Sequence, residues 1–144
     1  MNKAEAALKY FESYNCAQAV LAAHADDCGI DLDEALQAAV GFGGGMGRLQ
    51  ETCGAVTGAI LALGFNSGFK EGDSRENINA VYAQVRQFAG EFTSKNGTIK
   101  CRDLLGCDLS SEEGHKFFVD NNLRENCRCY VSLACELLEK YLAK

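Results

Sequence analysis

The sequence predicts an all-α protein, a single-domain bundle of about five to seven helices spanning residues 1–144. Three observations predict it. Apolar residues recur three and four apart, most clearly at Ile78, Val81, Val85, Phe88 and Phe92, which is the period of one helix face. Capping-box patterns, Asp31 with Glu34 and Asp73 with Glu76, stand at the heads of such segments, and glycines stand at their ends. With 144 residues and 47% hydrophobic content, the chain suffices for one core and is too short for two.

The first helix is predicted as one piece from Ala4 to about Asp26, with Leu8, Phe11, Ala19, Val20 and Ala23 as apolar positions and Cys28-Gly29 closing it,. Cys16 lies four residues before Val20 on a neighbouring part of that face, where a small buried hydrophobe is the ordinary role. His24, near the end of the same helix, is expected to be partly exposed and not a ligand. A short second helix follows from Asp31 through Val40 and is stopped by five glycines between 41 and 47. No lysine of the phosphate-loop type and no strand accompany these glycines, so nucleotide binding is excluded.

The third helix carries Cys53 and Ala55 to Leu63, with Thr52 as expected N-cap,. Gly54, Gly58 and Ala62 stand four apart, a groove of small residues into which another helix or a cofactor could fit. After a loop from Asn66 to Gly72, the fourth helix runs to Lys95-Asn96-Gly97. Thr98 is expected to cap a short turn with Cys101, Leu104 and Leu105 that ends at Gly106. Cys101 and Cys107 do not have a tight metal-knuckle spacing. Another short amphipathic piece, from Ser110-Ser111 through Val119, is loosened by Gly114, and His115 falls in its charged, solvated part. The last helix is predicted from Asn126 to Tyr141, with Cys127 facing inward, Cys129 about 200° round from it and Cys135 in the core.

Charge narrows the function classes. Fourteen basic against twenty acidic residues give a net charge of −6 without a basic run, which argues against a nucleic-acid partner. The longest apolar stretch, Ala55 to Phe65, is interrupted by Gly58 and Gly64 and falls well short of the roughly 20 residues that span a membrane. The N-terminus leads directly into a helical pattern without a signal sequence, so a cytoplasmic location is expected. Eight cysteines in a reducing compartment then call for a chemical reason, structural disulfides belonging to loop-rich secreted domains. Cys53, Cys101 and Cys127 each sit one to three residues after an expected cap, Thr52, Thr98 and Asn126. Helix N-termini favour thiolate, the form that attacks disulfides and binds metals. Arg48 and Arg102, near two of these thiols, are candidates for tuning them.

These residues carry a resemblance. Asn15-Cys16-Ala17, the glycine run into Cys53-Gly54-Ala55-x-x-Gly58, Cys101-Arg-Asp-Leu-Leu-Gly106, and Cys127 with Val131 resemble the C_GCAxxG_C_C family of redox-active proteins over nearly the whole chain. Cys28, Cys107, Cys129 and Cys135 fall outside the pattern. The cysteine pattern is also similar to the iron–sulfur domain of split-Soret cytochromes, although the absence of C-x-x-C-H implies no haem. The resemblance implies a redox role with an unidentified partner protein, and a homodimer is compatible with it. Three readings stay open. Cys16, Cys53, Cys101 and Cys127 converge to bind an iron–sulfur cluster, or less favourably zinc, with Gly54 and Gly58 giving the cofactor room. Alternatively, Cys53 and a partner thiol, Cys127 among the candidates, cycle between dithiol and disulfide. In the third reading the protein is a helical scaffold with inert cysteines. No acid–base constellation marks an enzyme.

Overall fold

The computed structural model describes residues 1–142. Among them are nine α-helices: α1 (Lys3–Phe11), α2 (Cys16–Ala23), α3 (Ala25–Cys28), α4 (Leu32–Ala39), α5 (Gly54–Ser67), α6 (Arg75–Asn96), α7 (Cys101–Leu105), α8 (Glu112–Asp120) and α9 (Arg124–Leu142), with a 3₁₀ turn at Val40–Phe42. The all-α expectation holds, with more and shorter helices than the five to seven read from the sequence. The main source of the difference is the first segment, which is three helices rather than one. Asn15 caps α2 through a capping box, its Oδ1 accepting from the Gln18 N–H (2.9 Å) while Gln18 Oε1 accepts from the Asn15 N–H (3.0 Å). That reciprocal pair satisfies the helix-end donors locally and outweighs the alanine-rich propensity to continue. Cys16 consequently starts a helix instead of lying mid-helix.

Other boundaries differ by one to three residues. Cys53 itself occupies the N-cap position of α5, without a side-chain cap bond. Lys100 precedes α7, Thr98 instead accepting the Lys100 N–H (3.0 Å) through its hydroxyl. Helix α9 begins two residues earlier than expected, at Arg124. Helix α6 is capped by Ser74, whose hydroxyl accepts from the Asn77 N–H (3.1 Å), and it ends at Gly97 in the left-handed conformation. Gly114 does not loosen α8. It is buried there, and a Cβ on it would collide with the Asp108 carbonyl.

The core is rich in small residues. Ala17, Ala19, Ala55, Ala59 and Ala62 are fully buried beside Leu21, Leu63, Phe88, Phe92, Val131 and Leu138. Helices α2 and α5 make the closest pairing, α1 and α9 flank α2, and α6 packs on α5 and α9. Close approach explains one of the motif glycines fully: a Cβ on Gly58 would lie 2.7 Å from the Ala17 carbonyl oxygen and 3.1 Å from Val20 Cβ. No helix among the described residues is long and apolar enough to cross a membrane.

Candidate functional site

Two devices position the site. The first is the glycine-rich loop between the 3₁₀ turn and α5. Gly44, Gly45, Met46, Gly47, Arg48 and Gln50 all have positive φ, a conformation that disfavours a side chain by about 1–2 kcal/mol per residue. The loop folds back on itself, with N–H groups of Gly47, Arg48, Gln50 and Glu51 donating to the carbonyls of Gly41, Gly43, Gly44 and Gly45. Gly45 allows that closure, since a Cβ there would lie 2.7 Å from Gln50 Cα and 2.8 Å from Cys101 Cβ.

The second device is an isolated antiparallel bridge between Thr52 and Lys100. It is locked by the Cys53 N–H donating to the Ile99 carbonyl (2.7 Å) and the Cys101 N–H donating to the Glu51 carbonyl (2.6 Å). Side chains alternate along extended backbone, so Cys53 and Cys101 leave this short ribbon on the same side.

Cys16, Cys53, Cys101 and Cys127 line one cavity of about 540 Å³, together with Gly43, Gly44, Gly45 and Gly54. Cys53 and Cys101 are buried, and Cys16 and Cys127 keep part of their surface open. Cys16 is the meeting point. Backbone of Gly44, Ala17, Gly54 and Cys16 itself favours the thiolate of this residue, and a Cβ on Gly54 would stand only 2.3 Å from its sulfur. Gly54 therefore gives room to the Cys16 sulfur, whereas Gly58 lies against α2 and does not line the cavity.

Burial is the leading influence on all four thiols, and it opposes the helix-terminus effect expected from sequence. It raises Cys16 despite the opposing influence of nearby backbone groups, and it pushes Cys53 far above the thiol range, with Cys16 adding to the rise. Cys101 is pushed up to about 11 by burial and then by Cys16, against hydrogen bonding from the Gln50 side chain. Cys127 is pushed up to about 12 by burial and then by Cys16 and Cys101, against the pull of Arg124. Charge on Cys16 thus bears on Cys53, Cys101 and Cys127 alike. Among the expected tuning cations, Arg102 acts weakly on Cys101 and pairs with Asp108 at 3.7 Å. Arg48 and His115 line the cavity mouth.

The family model described as "Putative redox-active protein (C_GCAxxG_C_C)" matches residues 14–141, the span that holds all four cavity cysteines. The chain belongs to this C_GCAxxG_C_C family. It is also 32% identical over 134 residues, 88% of this chain and 83% of the relative, to a protein of Archaeoglobus fulgidus named "Uncharacterized protein". No solved structure matches the chain.

The remaining cysteines separate from the C_GCAxxG_C_C set by position. Cys129 is exposed, Cys135 is buried near Glu136, Glu139 and Lys3, and the Cys28 thiol lies 3.7 Å from the Ala62 carbonyl. Cys107 is the exception, half-buried and close enough to raise Cys101 and Cys127. No disulfide joins Cys16, Cys53, Cys101, Cys107, Cys127, Cys129 or Cys135. Among the described residues no three Cys, His, Asp or Glu side chains form a group that could hold a metal ion. His24 is not partly exposed as expected but 1% exposed, its Nδ1 2.8 Å from the Val20 carbonyl.

Two supporting residues escaped the sequence reading. Gln50, 1% exposed, donates through Nε2 to the Cys107 carbonyl (2.9 Å) and accepts the Leu109 N–H (2.8 Å), tying the glycine loop to the segment after α7. Nothing in sequence distinguishes it from a surface glutamine. Asn15 joins α2 to the 3₁₀ turn by donating to the Val40 carbonyl (3.0 Å). Its signal was present, in Asn15-x-x-Gln18.

Proposed function

We propose that this protein is an electron-transfer protein whose Cys16, Cys53, Cys101 and Cys127 hold an iron–sulfur cluster. The observation that carries the reading is the convergence of four thiols, from four separate helix beginnings, on one cavity. A dithiol couple needs two thiols; a cluster is held by four. The donor set fits in three respects. The sulfurs stand around a cavity, as a polynuclear centre requires, rather than closing on one point as zinc does. The glycines bring backbone close to sulfur without side-chain bulk, Gly54 directly against Cys16, and backbone at this distance is what tunes cluster potentials. Finally, thiols whose pKa values burial raises, with Cys16 adding to the rise at Cys53, Cys101 and Cys127, are poor attacking nucleophiles, but a cationic metal core replaces their protons and offsets the repulsion.

When bound, such a cluster supplies one-electron transfer. The chain's own residues then have defined tasks: the Thr52–Lys100 bridge holds two sulfurs side by side, Asn15 fixes a third, and α9 with Arg124 carries the fourth. Burial of Cys53 and Cys101 excludes water from the inner side.

The shared projection of Cys53 and Cys101 favours a second reading, in which these two thiols lose two protons and two electrons to an oxidant and form one disulfide. Anaerobic purification from iron-replete cells, with iron and acid-labile sulfide analysis and a visible spectrum, tests the first reading. Coloured protein is expected, with iron lost in Cys53→Ser and Cys101→Ser and kept in Cys129→Ser. Colourless, metal-free wild type sinks the cluster reading, and a Cys53–Cys101 disulfide found by peptide mapping after oxidation establishes the second.

A further inference from the structure

The cavity holds more than a thiol floor. At about 540 Å³ it lies within the roughly 300–1,000 Å³ typical of small-molecule sites. Leu104, Leu105, Leu109 and Phe118 furnish apolar walls. Arg48 and Arg124 stand in the lining, yet no Asp or Glu among the described residues does, in a chain with twenty acidic residues and a net charge of −6. Charge at this cavity is thus opposite in sign to that of the molecule.

The two arginines have different commitments. Arg124 donates to the Phe11 carbonyl (2.6 Å), lies 4.1 Å over the Phe11 ring and lowers the Cys127 thiol. Arg48 is exposed and makes no ion pair with any described residue, and it is held at φ 63° in the loop that wraps the cysteines. A guanidinium that no carboxylate neutralises, in the lining of a cavity with apolar walls, matches a carboxylate bidentately.

We propose that the outer part of the cavity binds a small organic carboxylate with an apolar body, its carboxylate on Arg48 and its body against Leu104, Leu105 and Leu109. This deepens the redox reading by naming the class of molecule that is brought beside the thiols, and binding itself does not depend on a cluster.

The test is an NMR titration of metal-free, reduced, isotope-labelled full chain with benzoate, compared with benzyl alcohol and inorganic sulfate. Expected are saturable shifts of the Gly43 to Gly47 amides and of the Leu104, Leu105 and Leu109 methyls. Benzyl alcohol and sulfate are each expected to bind on the order of tenfold more weakly or worse. Arg48→Asn, chosen because asparagine tolerates positive φ, is expected to weaken benzoate by on the order of tenfold or more, with unchanged circular dichroism. Arg48→Lys provides a second folded variant with intermediate affinity. Absence of saturable benzoate shifts overturns the proposal. So does equal benzoate affinity in Arg48→Asn, or benzyl alcohol or sulfate binding as well as benzoate. Iron content measured in parallel separates the two readings: Arg48-dependent benzoate binding in a protein that never takes up iron leaves this inference standing and removes the cluster, and an iron-loaded protein blind to benzoate does the reverse.

Discussion

Replacing Gly58 by alanine should destabilise the protein, although alanine is the better helix former. The added Cβ would lie 2.7 Å from the Ala17 carbonyl oxygen, 3.1 Å from Ala17 Cα and 3.1 Å from Val20 Cβ, where ordinary contact begins near 3.4 Å. The closest neighbour is backbone of α2, so the clash is relieved only by moving one buried helix off another. Overpacking of this kind costs about 1–3 kcal/mol, and the propensity gain returns about 0.8–1 kcal/mol. The net loss is about 0–2 kcal/mol. Gly64→Ala, in the same helix, is the internal reference, because its Cβ would meet nothing within 4 Å and keeps the propensity gain of up to about 1 kcal/mol. The propensity gain is common to both variants, so they should differ by the overpacking cost of about 1–3 kcal/mol, which separates their urea midpoints by about 0.5–2 M at a typical slope. Equilibrium urea unfolding followed by circular dichroism reads this directly. Midpoints within about 0.3 M of each other would refute the argument that Gly58 exists for the approach of α2.

Asn15→Ala removes a capping box and the bond to Val40, and should cost about 1.5–2.5 kcal/mol, with faster alkylation of Cys16 as its local sign; thermal unfolding and mass-spectrometric labelling check both. In metal-free protein, Cys101 and Cys127 rise from the ordinary thiol value of 9.0 to about 11 and about 12 on folding. The fold thus binds more protons than the unfolded chain above pH 9, and its stability is full below that pH and lost as pH climbs through the folded values. Urea midpoints measured from pH 8 to 11 should fall steadily above pH 9, and a flat profile would contradict the buried-thiol description.

Helix α6 was legible because its stripe, its glycine stop and its polar face all agree, except for its cap, which is Ser74 rather than Asp73. The first segment was not, since alanine-rich composition argues for continuation while a single reciprocal pair, Asn15 with Gln18, argues for a break. Counting propensity over the segment hid the local hydrogen bonds that decide it. The four cavity cysteines were legible as a set through their motif, but their electrostatics were not. A helix beginning favours thiolate, but burial, which one sequence does not display, opposes it and has the larger effect at Cys53. Gln50 and the Thr52–Lys100 bridge depend on residues far apart in the chain meeting, a relation no local pattern encodes.

That bridge also fixes when the thiol set comes into being. Pairing Thr52 with Lys100 closes the chain around all of α5 and α6, a long loop whose closure entropy must be met before the contact contributes anything. Cys53 and Cys101 therefore become neighbours only late in folding, after the helices between them have docked. The amides of Cys53 and Cys101, which donate across the bridge, belong among those that exchange with solvent only through global opening. Newly made chains thus carry dispersed, ordinary thiols, and the assembled set is a property of the finished fold alone.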